Sequence, residues 1–465
     1  MEPENLRFGG GGQSSFIHPL WLVALVVAAL LLLVRPRRGM IAPYLLSVLV
    51  IPFPQQFYVA GAHIFLYRIV ILIACLRIAL LARSSREPLF AEGFNSLDKA
   101  FFLWMILRSA AFLVREGSPA LVNQAGFVLD SVGGYLIVRF LIRDEEDIKT
   151  AVKWFAAIAM ISAVCMVNER LTGQNVFGMV GGSRLVPEFR DGHYRAQGLF
   201  RHALLAGSYG ATVLPLLILL WKRWKAKFVA GLGMAASLVM VFTSGNSTSI
   251  LTLGMGIIAI FAWPFRKFTR LFRWGLSLGL VGLHLVMKAP VWFLIAHVAV
   301  MGSSSSDQRA HLVDLFIRNF GQWFLVGTNQ NGSWGYDMWD TCNGYVQEGI
   351  LGGLAALVLF IAVIAIAFSR IGRARKVVEG DREQEWLFWL LGAALFAHVV
   401  TFFGISYFEN SQFYWFTLLA MICSATAPVL ATVAAKKPVE AELAPSPWEE
   451  VPATVSSSSV GHGLT

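Results

Sequence analysis

The residues able to do chemistry gather in one stretch, Gly302 to Gly353. It opens on Ser303-Ser304-Ser305-Ser306-Asp307-Gln308-Arg309-Ala310-His311 and passes through an amphipathic run to Phe320-Gly321 and a Gly-, Asn- and Trp-rich turn region. It then enters an apolar helix through Asp340-Thr341-Cys342-Asn343-Gly344-Tyr345-Val346-Gln347-Glu348-Gly349. A second polar stretch, Glu169–His202, carries Arg170, Arg184, Arg190, Arg195 and Arg201. Arginine presents a planar fork suited to phosphate or carboxylate, so these segments are candidates for an anion site.

The candidates differ in how readily a bland role accounts for them. Arg184 and Arg190, with Glu169, Glu188 and Asp191 near them, are expected to form a solvated, self-paired loop. Arg195 and Arg201 flank Ala196-Gln197-Gly198-Leu199-Phe200, where the loop enters an apolar run. A charge at such a boundary is costly unless it is paired, snorkels or lines a wet cavity. Arg309 and His311 stand near a helix start, where the dipole disfavours cations. Asp314 and Arg318, four apart, are expected to form an ordinary surface pair. His193 and His202 titrate near neutrality or serve as hydrogen-bonded structural groups. Asp340 is either a helix cap or a base. Glu348, inside an apolar run, should face a bundle interior or cavity. The turn Thr243–Ser249 is expected to cap a helix, or else to offer hydroxyls and amides to an anion. Gly349, Gly352 and Gly353 permit close helix packing.

The elements that must hold these residues are membrane helices. The chain has 465 residues, 56% hydrophobic and 14% charged, against roughly 25% charged in a soluble domain. Apolar runs of about 17–25 residues recur, each enough to cross a hydrocarbon core of about 30 Å. The expected fold is all-α, a polytopic transmembrane bundle of about 12–13 spans. They fall near 17–34, 40–57, 63–82, 98–114, 121–142, 151–168, 199–220, 228–243, 248–265, 274–287, 343–368, 386–403 and 411–431. A β-barrel would read as short alternating segments instead. The membrane part is expected over 1–437, with 438–465 as a disordered tail. The segment before the first run holds Arg7 against Glu2 and Glu4, and Arg35-Pro36-Arg37-Arg38 follows that run, so it is expected to stay as a helix rather than be cleaved.

A net charge of +10 could suggest nucleic acid in a soluble chain. Here Lys and Arg collect in short loops that alternate along the chain, and nucleic acid is not expected as a partner. The loops at Arg35–Arg38, Arg83–Arg86, Arg143–Lys149, Lys222–Lys227, Arg266–Arg273, Arg370–Arg382 and Lys436–Lys437 fall on one side if the N-terminus is outside. That places two long loops, about 169–198 and 288–342, on the outer face, with short helices within them and an interfacial helix over Lys288–Val300 that carries His297. Cys75, Cys165, Cys342 and Cys423 form no CxxC pair, so neither a disulfide framework nor a metal site is indicated.

The order of features resembles the O-antigen ligase and polysaccharide polymerase family of bacterial membrane proteins, over roughly residues 150–405. Arg195-Ala196-Gln197-Gly198-Leu199-Phe200-Arg201-His202 resembles that family's Arg-x-x-Gly-aromatic entry into a helix. Thr243–Ser249 sits where the family has a Ser-Arg-Gly-like turn. Gly327, Cys342-Asn343-Gly344-Tyr345 and Glu348-Gly349-Ile350-Leu351-Gly352 resemble its Gly-x-Gly, His-Asn-x-Tyr and Glu-Gly-x-x-Gly pattern. The chain departs from that pattern at Cys342, where the family has histidine, at Asn329, where a second glycine is expected, and in lacking the arginine of the turn.

The basic loops predict an N-terminus outside and a C-terminus inside, and the resemblance implies that the membrane is a bacterial inner membrane, with the N-terminus periplasmic and the C-terminus cytoplasmic. The resemblance also implies transfer of a glycan from a polyprenyl-pyrophosphate-linked donor to a glycan or lipid acceptor, with membrane lipids around it and no cofactor. Such a reaction needs cations at the leaving pyrophosphate, with Arg195, Arg201 and Arg309 as candidates and His311 and Asn343 as further substrate contacts. It also needs a base for the acceptor hydroxyl, and Asp340, Glu348 and His202 remain open for that role. Two other classes stay in view. A transporter or flippase of a lipid-linked or anionic solute would place charges deep in the spans, where Arg68, Arg77 and Arg108 occur. A non-catalytic relative would tolerate the loss of the histidine.

Overall fold

The computed structural model describes residues 15–59, 61–84, 89–91, 93–182, 184–190, 192–294 and 304–443. Asp191, His297 and the tail from 444 onward lie outside the described residues. Within them the chain is a helical bundle with two short hairpins. The helices are α1 Pro19–Val34, α2 Ile41–Val50, α3 Leu66–Ser84, α4 Ser96–Glu116, α5 Ser118–Leu141, α6 Glu145–Thr172 and α7 Ala203–Lys222. They continue with α8 Lys227–Thr243, α9 Ser247–Phe261, α10 Thr269–Val286, α11 Ser304–Arg318, α12 Gly344–Val377, α13 Arg382–Phe402 and α14 Gln412–Leu443.

Six helices among the described residues are long and apolar enough to cross a membrane: α5, α6, α7, α12, α13 and α14 with the turn before it. A seventh is reached if α9 and the stretch Trp263–Val286, bent by 80°, count as one. A helix lies at every position expected from the apolar runs, but α1 and α8 are shorter than a full span. The run near 40–57 is cut off at Val50, because Pro52 and Pro54 end the helix. The chain turns instead into the hairpin β1 Gln56–Val59 and β2 Ala62–Phe65, paired from Gln56↔Phe65 to Val59↔Ala62. At the other end α14 runs past the expected boundary at 437, as far as Leu443.

The centre of the bundle is α7, nearly all of whose residues are buried. Small residues on it bring its neighbours close: a Cβ on Gly210 would meet the Ser237 carbonyl at 2.7 Å, and one on Gly207 the Ser244 hydroxyl at 2.3 Å. Helices α6, α8, α9 and α13 pack around it. A second group, α4, α13 and α14, surrounds α12. By contrast α10 buries no residue.

Five of the basic loops meet at one end of the bundle. Arg38 pairs with Asp144 (2.6 Å) and Asp147 (2.8 Å). Arg223 pairs with Glu145 (2.6 Å) and Glu383 (3.2 Å), Arg266 with Glu385 (2.6 Å) and Lys267 with Glu379 (3.0 Å). Glu145 starts α6 and Glu169 lies in its last turn, about 24 residues or roughly 36 Å further along the axis. The Glu169 end therefore stands a full helix length from the basic one.

Candidate functional site

The site is assembled on the last turn of α6. Glu169 is completely buried there. Its carboxylate accepts the backbone N–H of Gln197 (3.1 Å) and of Gly198 (2.8 Å). Asn175 Nδ2 donates to the Gly198 carbonyl (2.9 Å). On the other side the Ala196 N–H donates to the Thr243 carbonyl (3.1 Å), and Arg170 donates to the carbonyls of Tyr194 and Thr243. A Cβ on Gly245 would meet the His193 ring at 2.8 Å, so the Thr243–Ser249 turn packs directly on this loop. That turn serves structure: Asn246 caps α9 through the Ser249 N–H, and Ser244, Ser247, Thr248 and Ser249 are buried.

Clamped in this way, Arg195 is only 8% exposed. Its N–H donates to the Glu188 carbonyl (2.8 Å) and its guanidinium pairs with the Glu188 carboxylate (2.9 Å). Its Nε is buried without a hydrogen-bond partner. Arg309, on α11, is 9% exposed, and its Nε is likewise buried and unpartnered. Burial pulls the Arg309 pKa down, and the positive charges of Arg195 and Arg190 add to this against Cys342 and Asp340. Both guanidiniums are thus buried with an unused donor, and the charge of Arg195 acts unfavourably on Arg309, conditions under which a negative charge between them would be stabilising.

The histidine and acids around this pair have distinct states. His202 caps α7: its Nδ1 accepts the Leu204 N–H (3.1 Å). The neutral ring therefore carries its proton on Nε2, which is a donor. Burial lowers the His202 pKa, Arg195 lowers it further, and Glu188 and Asp340 oppose them. Asp340 accepts the thiol hydrogen of Cys342 (3.0 Å). The Cys342 pKa is pushed up to about 12, first by burial and then by Asp340, so the thiol stays protonated.

The structure thus brings Arg195, Arg309, His202 and Asp340 into one electrostatic neighbourhood, with Cys342 at its edge. It separates the others. Arg201 is half exposed, pairs with Glu409 and stacks over Phe53 at 5.3 Å. Asn343, rather than Asp340, caps α12, accepting from Tyr345 (2.9 Å) and Val346 (3.1 Å) while its Nδ2 donates to the Phe403 carbonyl. Glu348 accepts from Trp104 Nε1 (2.8 Å), and Arg108 Nε lies 3.1 Å away without hydrogen-bond geometry. That group lines a separate cavity of about 50 Å³. His311 lies on the exposed side of α11, edge-on to Phe293. Asp314 pairs with Arg318 at 2.7 Å and also accepts from Trp292.

Sequence reasoning passed over Asp130 and Asp98. Asp130 lies in a π-helical turn of α5, Leu129–Gly133, and receives Arg68 Nε (2.9 Å) and Nη2 (2.8 Å) and the Tyr67 hydroxyl (2.8 Å). Asp98 pairs with the fully buried Arg139 (2.9 Å). The signal present was an acid within or at the edge of an apolar run, the same signal that singled out Glu348. Among the described residues no group of three or more His, Cys, Asp or Glu is placed to hold a metal ion. No family model matches the sequence, and no curated protein matches it.

Proposed function

We propose that the chain is a membrane glycosyltransferase of ligase or polymerase type, moving a glycan from a polyprenyl-pyrophosphate carrier to a hydroxyl acceptor at the outer face of a bacterial inner membrane. The observation that carries this is that Arg195 and Arg309 are each buried with an unused Nε, and that the charge of one acts on the other. The diphosphate of the donor binds between them. As the bond from the sugar to the diphosphate oxygen breaks, negative charge grows on that oxygen, and preorganised cations there lower the barrier. The acceptor oxygen forms the new bond to the same sugar carbon and gives up its proton. Asp340 is the base in this scheme, since it neighbours both Arg309 and His202. Neutral His202 offers a donor, and Glu348 is held by Trp104 in a different cavity. Cys342 replaces the histidine of the resembling family and holds Asp340 by a thiol hydrogen bond.

The orientation in this proposal has the N-terminus outside. Its support is that five basic loops share one end while the arginine pair belongs to the Glu169 end. A second reading, transport of a lipid-linked solute, is favoured by the Arg68–Asp130 and Arg108–Glu348 pairs within helices.

One experiment separates the readings. A clean deletion strain is complemented with wild type, Arg195→Ala, Arg309→Ala or Asp340→Asn, and surface polysaccharide and lipid-linked precursor in each leaflet are measured. Glycosyl transfer predicts lost polysaccharide with precursor accumulating in the outer leaflet. Precursor trapped in the inner leaflet supports transport. If both arginine variants keep normal polysaccharide while the deletion loses it, the site is wrong.

A further inference from the structure

Beside the arginine pair lies an open groove of about 550 Å³ between α11 and the loop after Trp334. Arg190, Gln308, His311, Tyr336, Asp337 and Met338 line it. Its volume lies within the range of about 300–1,000 Å³ typical of small-ligand clefts.

The loop is firmly held, yet its aromatic ring is left outside. Met338 is buried, and its carbonyl accepts from Asn331 Nδ2 at 2.7 Å. Asp337 adopts a left-handed backbone with φ 61°, and Gln308 Nε2 donates to its carbonyl (3.2 Å). Aspartate adopts that conformation more readily than most non-glycine residues, and the Gln308 bond to its carbonyl holds it here. Against this fixed backbone Tyr336 is 94% exposed, so its ring stands open on one side of the groove.

The remaining groups choose the occupant. Arg190 and Gln308 offer donors, Asp337 offers acceptors, and His311 offers either. Leu315 and Met338 give the groove apolar wall as well, so it is the polar groups that favour a sugar over a lipid tail. A sugar has hydroxyls that both donate and accept around its rim, and a C–H face that lies against an aromatic ring. The groove also adjoins the transfer site: the charge of Arg190 is felt by Arg309, and that of Asp337 by Cys342.

We propose that this groove is a glycan subsite, where one sugar ring rests on Tyr336 and is hydrogen-bonded by Asp337, Gln308 and Arg190. This rests on the glycosyl-transfer reading and gives the transferred or accepting chain a place to lie beside Arg309.

The test uses the full chain in detergent micelles. The probe is lipid-free oligosaccharide released from the surface polysaccharide of the strain that encodes the protein, with binding measured by calorimetry. Wild type is expected to bind, Tyr336→Ala and Asp337→Ala to weaken binding by about tenfold or more, and Tyr336→Trp to retain it. Tyr336 is exposed, so its alanine variant keeps the fold, as an unchanged melting profile will verify. Absence of binding to wild type, or equal binding by Tyr336→Ala, overturns the subsite. So does glycerol phosphate, the headgroup probe, occupying the groove as tightly as the sugar. The fragments carry no pyrophosphate. If binding fails while the Arg195 and Arg309 strains still lose polysaccharide, the subsite alone falls.

Discussion

Glu169 holds the backbone of Gly198: its carboxylate accepts that N–H at 2.8 Å and the neighbouring Gln197 N–H at 3.1 Å, from a completely buried position. The acid thus fixes the main chain on which Arg195 stands and leaves the guanidinium to others. Replacing it by alanine leaves two buried N–H groups without an acceptor, at about 1–3 kcal/mol. Glu169→Ala is expected to melt lower in detergent and, with it, to lose the activity proposed for Arg195. Glu169→Gln keeps one acceptor oxygen and should fall between. An alanine variant with unchanged melting temperature contradicts this role.

Cys342 should be a slow thiol. With its pKa at about 12, its thiolate fraction near pH 7.5 is on the order of a thousandfold below that of an ordinary cysteine. In a background lacking the other three cysteines, maleimide labelling is expected to be correspondingly slow. Asp340→Asn removes a negative charge and the acceptor of the thiol hydrogen, which lowers the pKa and speeds labelling. Rapid labelling of Cys342 with Asp340 intact would contradict the assignment.

His202 links folding to pH. Its pKa is lowered in the folded protein, by burial first and Arg195 second, so the unfolded chain binds the proton more readily. The stability that this group contributes is complete above about pH 6.5 and is lost as pH falls below it. His202→Asn preserves a capping side chain and removes the titration. The melting temperature of wild type should drop more between pH 8 and 5.5 than that of this variant. Parallel pH dependence of the two proteins sinks the claim.

Gly353 breaks α12. Its φ is 73°, and a Cβ there would meet the Leu325 carbonyl oxygen at 2.4 Å. The groups freed by the break are satisfied from outside: the Ile350 carbonyl accepts from Thr328 N–H (2.8 Å) and Arg115 Nη1 (2.9 Å), and Leu354 N–H donates to the Phe324 carbonyl (2.8 Å). Gly353→Ala is expected to cost at least about 1–3 kcal/mol, because φ 73° with ψ −171° is a conformation nearly confined to glycine and main chain must also move. Size-exclusion profiles in detergent should show reduced monodisperse yield. A wild-type profile and melting temperature for this variant would argue that the break is incidental.

The sequence carries much of this architecture, and its gaps have physical causes. Apolar length locates the helices, because crossing a bilayer demands it, and every expected position holds one. Length does not reveal that α2 ends early, although Pro52 and Pro54 mark the place, or that α10 stands apart from the core. The Glu169–His202 and Arg309–Glu348 stretches lie close enough for their charges to act on one another, Arg195 and Asp340 on His202 and Arg195 on Arg309. What spacing cannot carry is pairing at a distance. Arg68 finds Asp130 across 62 positions, and Glu348 is claimed by Trp104 across 244. Gly349 and Gly352 pack as expected, against Phe316 at 2.4 Å and Arg108 at 3.0 Å for an added Cβ. Gly353 does something else, since only the backbone angle distinguishes a packing glycine from a hinge.

That hinge also works as a depth gauge. From Gly353 to the first basic residue, Arg370, the helix rises for about 17 residues, roughly 26 Å, a little less than a hydrocarbon core of about 30 Å. The nine residues before the break, Gly344–Gly352, are needed to complete the length, and the break lets them do so along a different axis. Glu348 thus belongs to a short tilted segment next to one end of the helix, where Trp104 Nε1 donates to it at 2.8 Å.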